Sequence, residues 1–307
     1  MKGLELSRRY YEEICRPAVE KYFAAHIEKM AFGLVGDVSE CYGFDDEISR
    51  DHDFGPRIMV WLNSDDFSDH GLKLKEFLKK LPANFRGYDG VNTSQYGNDR
   101  EGVFTITGFY KRFTGLEHIP TTIHEWRLIP ETNLSIATNG EVFNDPPGEF
   151  SRYRKHLLEG YPEDVRLKMM SARCMKIAQS GQYNYPRSLR RKEFVAAQMA
   201  LSEFIDSAIS MIYLLNNRYK PFYKWMHKGL KNLPLLGEEA YHLFSNISSA
   251  TGYYDNIPAI EDICSLIINQ LRENGFSDSP SDFLLDHGPV IQLKIKNEYL
   301  RKMAPWG

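Results

Sequence analysis

The spacing of apolar residues changes near residue 148, and this change constrains the fold more than any other feature. Before it, short runs rich in β-formers at 57–62 and 102–110 predict buried strands. The apolar residues of 70–81 recur at helical spacing and predict an amphipathic helix. After it, the stretch 194–215 keeps helical spacing throughout. Strands mixed with helices, followed by helices alone, predict an α+β chain.

Turn and cap residues refine this division. Asn139-Gly140 lies between the apolar runs 134–138 and 141–143, and this pattern is typical of a β-hairpin. Pro162 followed by two acids predicts a helix start. Further helices are expected near 238–250, 258–274 and 288–303. We therefore expect a mixed-sheet domain at 1–150 and a helical bundle at 151–307, joined around 145–148.

Length, charge and cysteine usage limit the classes of function. The chain has 307 residues, a size typical of two domains, and a formal net charge of −3. That balance excludes a generally basic coat, so no nucleic-acid partner is expected. The four cysteines are widely spaced and form no CxxC pair, which favours reduced thiols in the cytoplasm. With no signal-peptide pattern, and an apolar run at 208–215 shorter than a bilayer requires, no membrane association is expected.

A dense run of carboxylates precedes the first predicted buried strand. Asp51 and Asp53 are two residues apart, so in an extended chain their side chains point to the same face and repel each other. A divalent cation is the usual compensation, and Mg²⁺ favours carboxylates together with phosphate oxygens. The preceding loop, which contains Gly36 and Ser39, offers backbone N–H groups and a hydroxyl to phosphates. The alternative is a solvated acidic loop without a metal.

The order of these motifs resembles the nucleotidyltransferase superfamily, including aminoglycoside-nucleotidyltransferase-like proteins. The resemblance is carried by Ser39-Glu40, by Gly-Phe-Asp-Asp-Glu at 43–47 and by Ser-Arg-Asp-His-Asp at 49–53. It is closer to a bacterial family of uncharacterised nucleotidyltransferase-like proteins. That likeness extends from about residue 33 to 230 through further motifs at 125–131, 140–145, 161–165 and 218–225.

The resemblance implies a nucleotidyltransferase-type mixed sheet and a metal-dependent reaction. An NMP would pass from an NTP, by superfamily habit ATP, to a hydroxyl or amine of a small molecule or protein, releasing pyrophosphate. Asp51 and Asp53 would bind Mg²⁺ or Mn²⁺ and act in catalysis. A third carboxylate on a neighbouring strand would complete the site, with Glu125 as first choice and Glu141 in reserve.

The same resemblance implies three contacts to the nucleotide. Gly36 and Ser39 would contact its phosphates, and Lys224 would contact the triphosphate from the helical half. Three of the predicted site residues have a structural alternative. Ser39 would satisfy its own turn, Glu125 would be a surface glutamate beside a buried tryptophan, and Lys224 would be a solvated lysine beside an aromatic cluster.

One residue departs from the family pattern. Val38 occupies the place before the loop serine where glycine is usual, and its β-branch restricts the backbone. This departure keeps open two alternatives on the same fold: a catalytically inactive nucleotide- or metabolite-binding protein, and an interaction protein.

Overall fold

A mixed four-stranded sheet forms the centre of the N-terminal half. The computed structural model describes residues 1–50, 54–91 and 100–306. Its strands are β1 (Ala31–Leu34), β2 (Met59–Leu62), β3 (Gly102–Thr105) and β4 (Glu141–Asn144), in the spatial order β3-β2-β1-β4. Strand β1 pairs antiparallel with β2 and β4, whereas β2 and β3 are parallel. The predicted α+β class and the buried strand within 57–62 are confirmed.

The strand register brings four chain segments to one edge of this sheet. Gly33 near the end of β1 lies opposite Met59, which begins β2, and Met59 also lies opposite Gly102, which begins β3. Leu34, the last residue of β1, lies opposite Glu141, the first residue of β4. We call this the loop edge: it joins the end of β1 to the starts of the other three strands.

Helices cover this sheet and supply much of the first core. The helices of this part are α1 (Gly3–Tyr10), α2 (Arg16–Tyr22), α3 (Ser64–Asp66), α4 (Leu72–Leu78), α5 (Ile106–Thr114), α7 (Glu131–Thr138) and α8 (Glu149–Leu158). Between α5 and α7 the chain forms α6 (Ile123–Leu128), most of which belongs to a second compact unit. One apolar cluster joins Leu6 and Tyr10 of α1 to Val60 of β2, Leu74 of α4 and Val103 of β3. The amphipathic helix predicted for 70–81 is confirmed as α4, preceded by the π-helical turn Phe67–Gly71.

Two strand predictions were wrong. The stretch 102–110 is a strand only to Thr105, whose hydroxyl accepts a hydrogen bond from the Gly108 N–H and so caps α5. The predicted hairpin around Asn139-Gly140 does not form: residues before it belong to α7, and β4 pairs with β1 instead. Leu134 and Ala137, spaced three apart, are fully buried, so helical packing prevails over β propensity.

The chain divides into two compact units. The first contains residues 1–121 and 128–159, and the second contains 122–127 and 160–307. The sequence-based boundary at 150 falls inside α8, which belongs to the first unit.

The described part of the second unit beyond residue 160 is helical. Its helices are α9 (Glu163–Ile177), α10 (Tyr185–Arg190), α11 (Phe194–Leu215), α12 (Tyr223–Leu230), α13 (Gly237–Ser249), α14 (Asn256–Glu273), α15 (His287–Leu293) and α16 (Glu298–Lys302). Helix α9 packs against α11 and α15. The predicted helical half is therefore confirmed, with α15 and α16 in place of one helix at 288–303 and Pro162 as the N-cap of α9.

Helix α11 is the most apolar helix of the described residues. By length and composition it is the one described helix able to cross a membrane. It has 22 residues and is therefore longer than the apolar run at 208–215 on which the prediction of no membrane association depended. About half of its most apolar window (44%) is buried, and 207–215 is buried throughout.

Candidate functional site

The segment that follows β1 is anchored by one distant side chain. The Asn139 side-chain amide donates to the Gly36 carbonyl over 2.6 Å, and its oxygen accepts from the Gly36 N–H over 3.0 Å. Asn139 lies between α7 and β4, so this pair of bonds ties the predicted phosphate loop to the start of β4. With both backbone groups paired, Gly36 is held in one orientation.

Val38 adopts a backbone conformation that suits valine. Its φ of −88° and ψ of 154° lie in the extended region, which β-branched residues favour. Its side chain is buried with Leu34 and Cys41. Valine at this position therefore adds an apolar anchor without backbone strain, and the objection raised by the missing glycine loses its steric basis.

Ser39 begins a short 3₁₀ turn, Ser39–Tyr42, at the loop edge. It is half-buried, and among the described residues no hydrogen bond engages its hydroxyl. A serine hydroxyl in this situation can donate to a phosphate oxygen. Contact of Ser39 with a phosphate stays a prediction.

The next residue, Glu40, forms a buried ion pair. Its carboxylate accepts from Arg57 Nη2 over 2.6 Å, and both residues are 1% exposed. Burial raises the pKa of Glu40, and Arg57 opposes that rise. Since Arg57 lies between residue 53 and β2, the pair fixes the turn after β1 to the segment that enters β2.

Three buried polar atoms of this ion pair have no hydrogen-bond partner among the described residues. Arg57 Nε and Nη1 and Glu40 Oε1 are buried and make no hydrogen bond in the described part of the chain. Helix α1 closes the turn from the other side, because the Gly3 N–H donates to Asp45 Oδ2 over 3.0 Å. A Cβ at Gly3 would overlap the Glu40 side chain, so only glycine fits at that position.

A second ion pair joins the same loop to β3. Arg100 donates through Nε and Nη2 to the two carboxylate oxygens of Asp37, over 3.1 and 3.0 Å. This fork geometry fixes orientation as well as distance. The loop at Asp37 and the start of β3 are therefore held together at the loop edge.

Glu101 follows Arg100 and is the carboxylate that sequence reasoning missed. It lies one residue before β3, and the protein around its carboxyl raises its pKa while Arg57 opposes the rise. Among the described residues it has no ion-pair partner. The available signal was a glutamate directly before a β-forming run, but nothing in the sequence shows that β3 lies beside β2.

The two aspartates expected to bind metal, Asp51 and Asp53, lie outside the described residues. In 1–50, 54–91 and 100–306, no three His, Cys, Asp or Glu side chains are grouped to hold a metal ion. Glu101 makes no ion pair within the described residues, which therefore supply at most part of a ligand set. A metal here requires Asp51 and Asp53 as well.

Both carboxylates predicted as the third ligand already have hydrogen-bond or ion-pair partners. Glu125 belongs to α6 rather than to a strand, and its carboxylate accepts from the Thr122 N–H over 2.9 Å while Thr122 Oγ1 accepts from the Glu125 N–H. This reciprocal pair is a capping box. Glu141 does begin β4, but it is ion-paired with Arg8 of α1.

Lys224 lies in the second unit, on the exposed face of α12. Its Nζ lies 4.9 Å from the centre of the Trp225 ring, and Lys228 Nζ lies 5.5 Å from the same ring. This cation–π arrangement stabilises a solvated lysine beside an aromatic cluster. Contact of Lys224 with a triphosphate stays a prediction.

Comparisons with known proteins give a limited result. Residues 126–226 match a family described as a domain of unknown function (DUF4037). A crystal structure of a nucleotidyltransferase-like protein from Exiguobacterium sibiricum 255-15 is similar, with 11% identity over 85% of this chain and 77% of that chain, at a TM-score of 0.39. No curated protein matches the chain.

Proposed function

We propose that this protein is a nucleotidyltransferase. It moves an NMP from an NTP, with ATP the expected donor, to a hydroxyl or amine of an acceptor and releases pyrophosphate. The observation that carries the proposal is the convergence at the loop edge. The Glu40–Arg57 and Asp37–Arg100 ion pairs hold the Gly36–Ser39 loop beside the segments entering β2 and β3.

The roles follow from chemistry at that edge. Ser39 and the loop N–H groups that follow Gly36 bind the triphosphate, while Gly36 itself is held by Asn139. Asp51, Asp53 and Glu101 are the carboxylates for Mg²⁺ or Mn²⁺. A bound divalent ion would neutralise charge on the triphosphate and on the departing pyrophosphate. Glu101 replaces Glu125 in this proposal because it lies at the start of the strand beside β2.

Group transfer then needs a positioned acceptor. The acceptor oxygen or nitrogen forms a bond to the α-phosphorus, and the bond from that phosphorus to the β-phosphate bridging oxygen breaks. Pyrophosphate leaves with the bonding electrons, and the acceptor proton passes to the Glu101 carboxylate.

The test is a thermal-shift panel of ATP, GTP, CTP and UTP, each with and without Mg²⁺. A ligand at about a hundred times its Kd adds roughly 2.7 kcal/mol to the free energy of unfolding. We expect a Mg²⁺-dependent rise in Tm with one NTP, lost in Asp53→Asn and Glu101→Gln. The matched control is Glu47→Gln, which neutralises an exposed carboxylate in the same acidic stretch.

The outcomes separate the alternatives. Pyrophosphate release from the shifting NTP supports transfer, whereas nucleotide binding without release under any acceptor mixture supports the inactive binding protein. Absence of a shift with all four NTPs overturns the proposal. A cytoplasmic location fits it, since all four cysteines are free and buried.

A further inference from the structure

A cavity of about 340 Å³ opens beside the loop edge within the first unit. Its walls come from α1, α4 and the residues just before β2 and β3, including Ile58 and Glu101. Volumes of this size hold small-molecule ligands. Glu101 lines this space, and so does Arg57, whose guanidinium is already paired with Glu40.

The cavity has an apolar floor. Ile58, Leu78 and Leu81 line it, so the middle of a ligand would rest on aliphatic side chains. Tyr10 also lines it, but its hydroxyl donates to the Pro82 carbonyl over 3.0 Å and is engaged. Polar recognition therefore falls to the charged residues of the wall.

The cavity wall carries positive charge on Lys75 and Lys79 and negative charge on Glu101. Lys75 and Lys79 lie one helical turn apart, so they share a face of the helix and repel each other. Lys75 has no carboxylate within ion-pair distance in the described residues, and Lys79 contacts only the exposed Glu76, at 2.7 Å. A surface pair of that kind contributes little and is readily exchanged for a ligand. Glu101 provides the negative charge.

We infer that this cavity binds the acceptor, a small molecule with three parts. An anionic group, carboxylate or phosphate, lies at Lys75 and Lys79, an apolar body lies on Ile58 and Leu78, and a hydroxyl or amine donates to Glu101. Binding stands on the cavity alone, whereas the name acceptor rests on the proposed function. The group that meets Glu101 is the one that receives the NMP.

The test measures binding of defined probes by ligand-observed NMR titration, without nucleotide. We expect para-hydroxyphenylpropionate and para-hydroxybenzylphosphonate to bind, and para-ethylphenol, which lacks the anion, to bind at least about tenfold more weakly, as expected for a lost charged hydrogen bond. The stronger of the two anions identifies the source as carboxylate or phosphate. Lys75→Glu should weaken both anions about tenfold by the same reasoning.

The control is Lys73→Glu, an equal charge change on the same helix outside the cavity wall. Both lysines are exposed, so both variants are expected to keep the Tm of the parent protein. Equal binding of neutral and anionic probes, full affinity in Lys75→Glu, or no probe binding at all would each overturn the inference. Since no nucleotide is present, such a failure leaves the NTP-dependent thermal shift unaffected and is distinguishable from failure of the proposed function.

Discussion

The Arg57 guanidinium donates to the Glu40 carboxylate over 2.6 Å, with both side chains withdrawn from water. The two residues are 17 positions apart, and the segment between them includes Asp51 and Asp53. One buried ion pair thus closes the chain loop that carries the predicted metal ligands.

Breaking this pair on one side should destabilise the protein strongly. Arg57→Met or Glu40→Met leaves a buried charge without its partner, which costs about 3–5 kcal/mol. The double variant should cost less than the sum of the two, because no lone charge remains. Chemical denaturation of the three variants gives the coupling free energy, and additive losses would contradict a functional pair.

Asn139→Ala should loosen the loop after β1. It removes two hydrogen bonds to Gly36, so we expect a loss of about 1–3 kcal/mol and faster amide exchange at Gly36. Hydrogen exchange followed by mass spectrometry measures this. Asn133→Ala, which removes a bond to the Phe113 carbonyl, is the control that should lower stability without faster exchange at Gly36.

Glu101→Gln should stabilise the metal-free protein at neutral pH. The folded-state pKa of Glu101 is raised above its unfolded value, so ionisation of this carboxyl lowers the free energy of unfolding. The loss is absent below the unfolded pKa and becomes complete as pH rises through the folded pKa. The Tm difference between variant and parent should be positive at pH 7 and vanish below about pH 4, near the ordinary glutamate pKa. Thermal scans in EDTA across that range decide it, and a pH-independent difference would refute it.

Glu125→Ala should act on stability alone. Loss of the Thr122–Glu125 capping box costs about 0.5–2 kcal/mol. The NTP-dependent rise in Tm should stay intact, in contrast to Glu101→Gln. A Glu125→Ala variant that loses nucleotide binding while keeping its fold would restore the sequence-based assignment.

Lys168 should make stability depend on pH in the alkaline range. Burial lowers its pKa to about 8, with Arg127 adding to the effect, although its ammonium donates to Gln292 Oε1 over 3.0 Å and to the Ala304 carbonyl. Between about pH 8 and the ordinary lysine pKa near 10.4, the unfolded chain therefore binds more protons than the folded chain. The free energy of unfolding increases as pH rises through that window.

Lys168→Met removes that gain. Denaturation curves at pH 7.5 to 10 should show the difference between parent and variant changing in favour of the parent as pH rises. Lys176→Met, which alters a half-buried lysine 3.4 Å from Glu203, is the control and should show no such trend. Parallel curves for Lys168→Met and the parent would contradict the prediction.

Local patterns predicted the elements whose signals were strong and short-range. The apolar spacing of 194–215 predicted α11, and the start of α9 after Pro162 follows from local caps. The strand predicted at 134–138 is wrong because its β-branched residues suit a strand, whereas the burial of Leu134 and Ala137 in α7 depends on neighbours far away in sequence. Propensity is a weak preference that such packing overrides.

The sequence by itself determined the α+β class, the division into a sheet-bearing part and a helical part, and the loop bearing Gly36 and Ser39, because period and turn chemistry act over a few residues. Only the tertiary structure decided where the individual carboxylates lie. Glu101 reaches the loop edge through the parallel pairing of β3 with β2, and Glu125 is committed to a helix cap. Strand pairing depends on contacts between distant residues, and no local pattern encodes it.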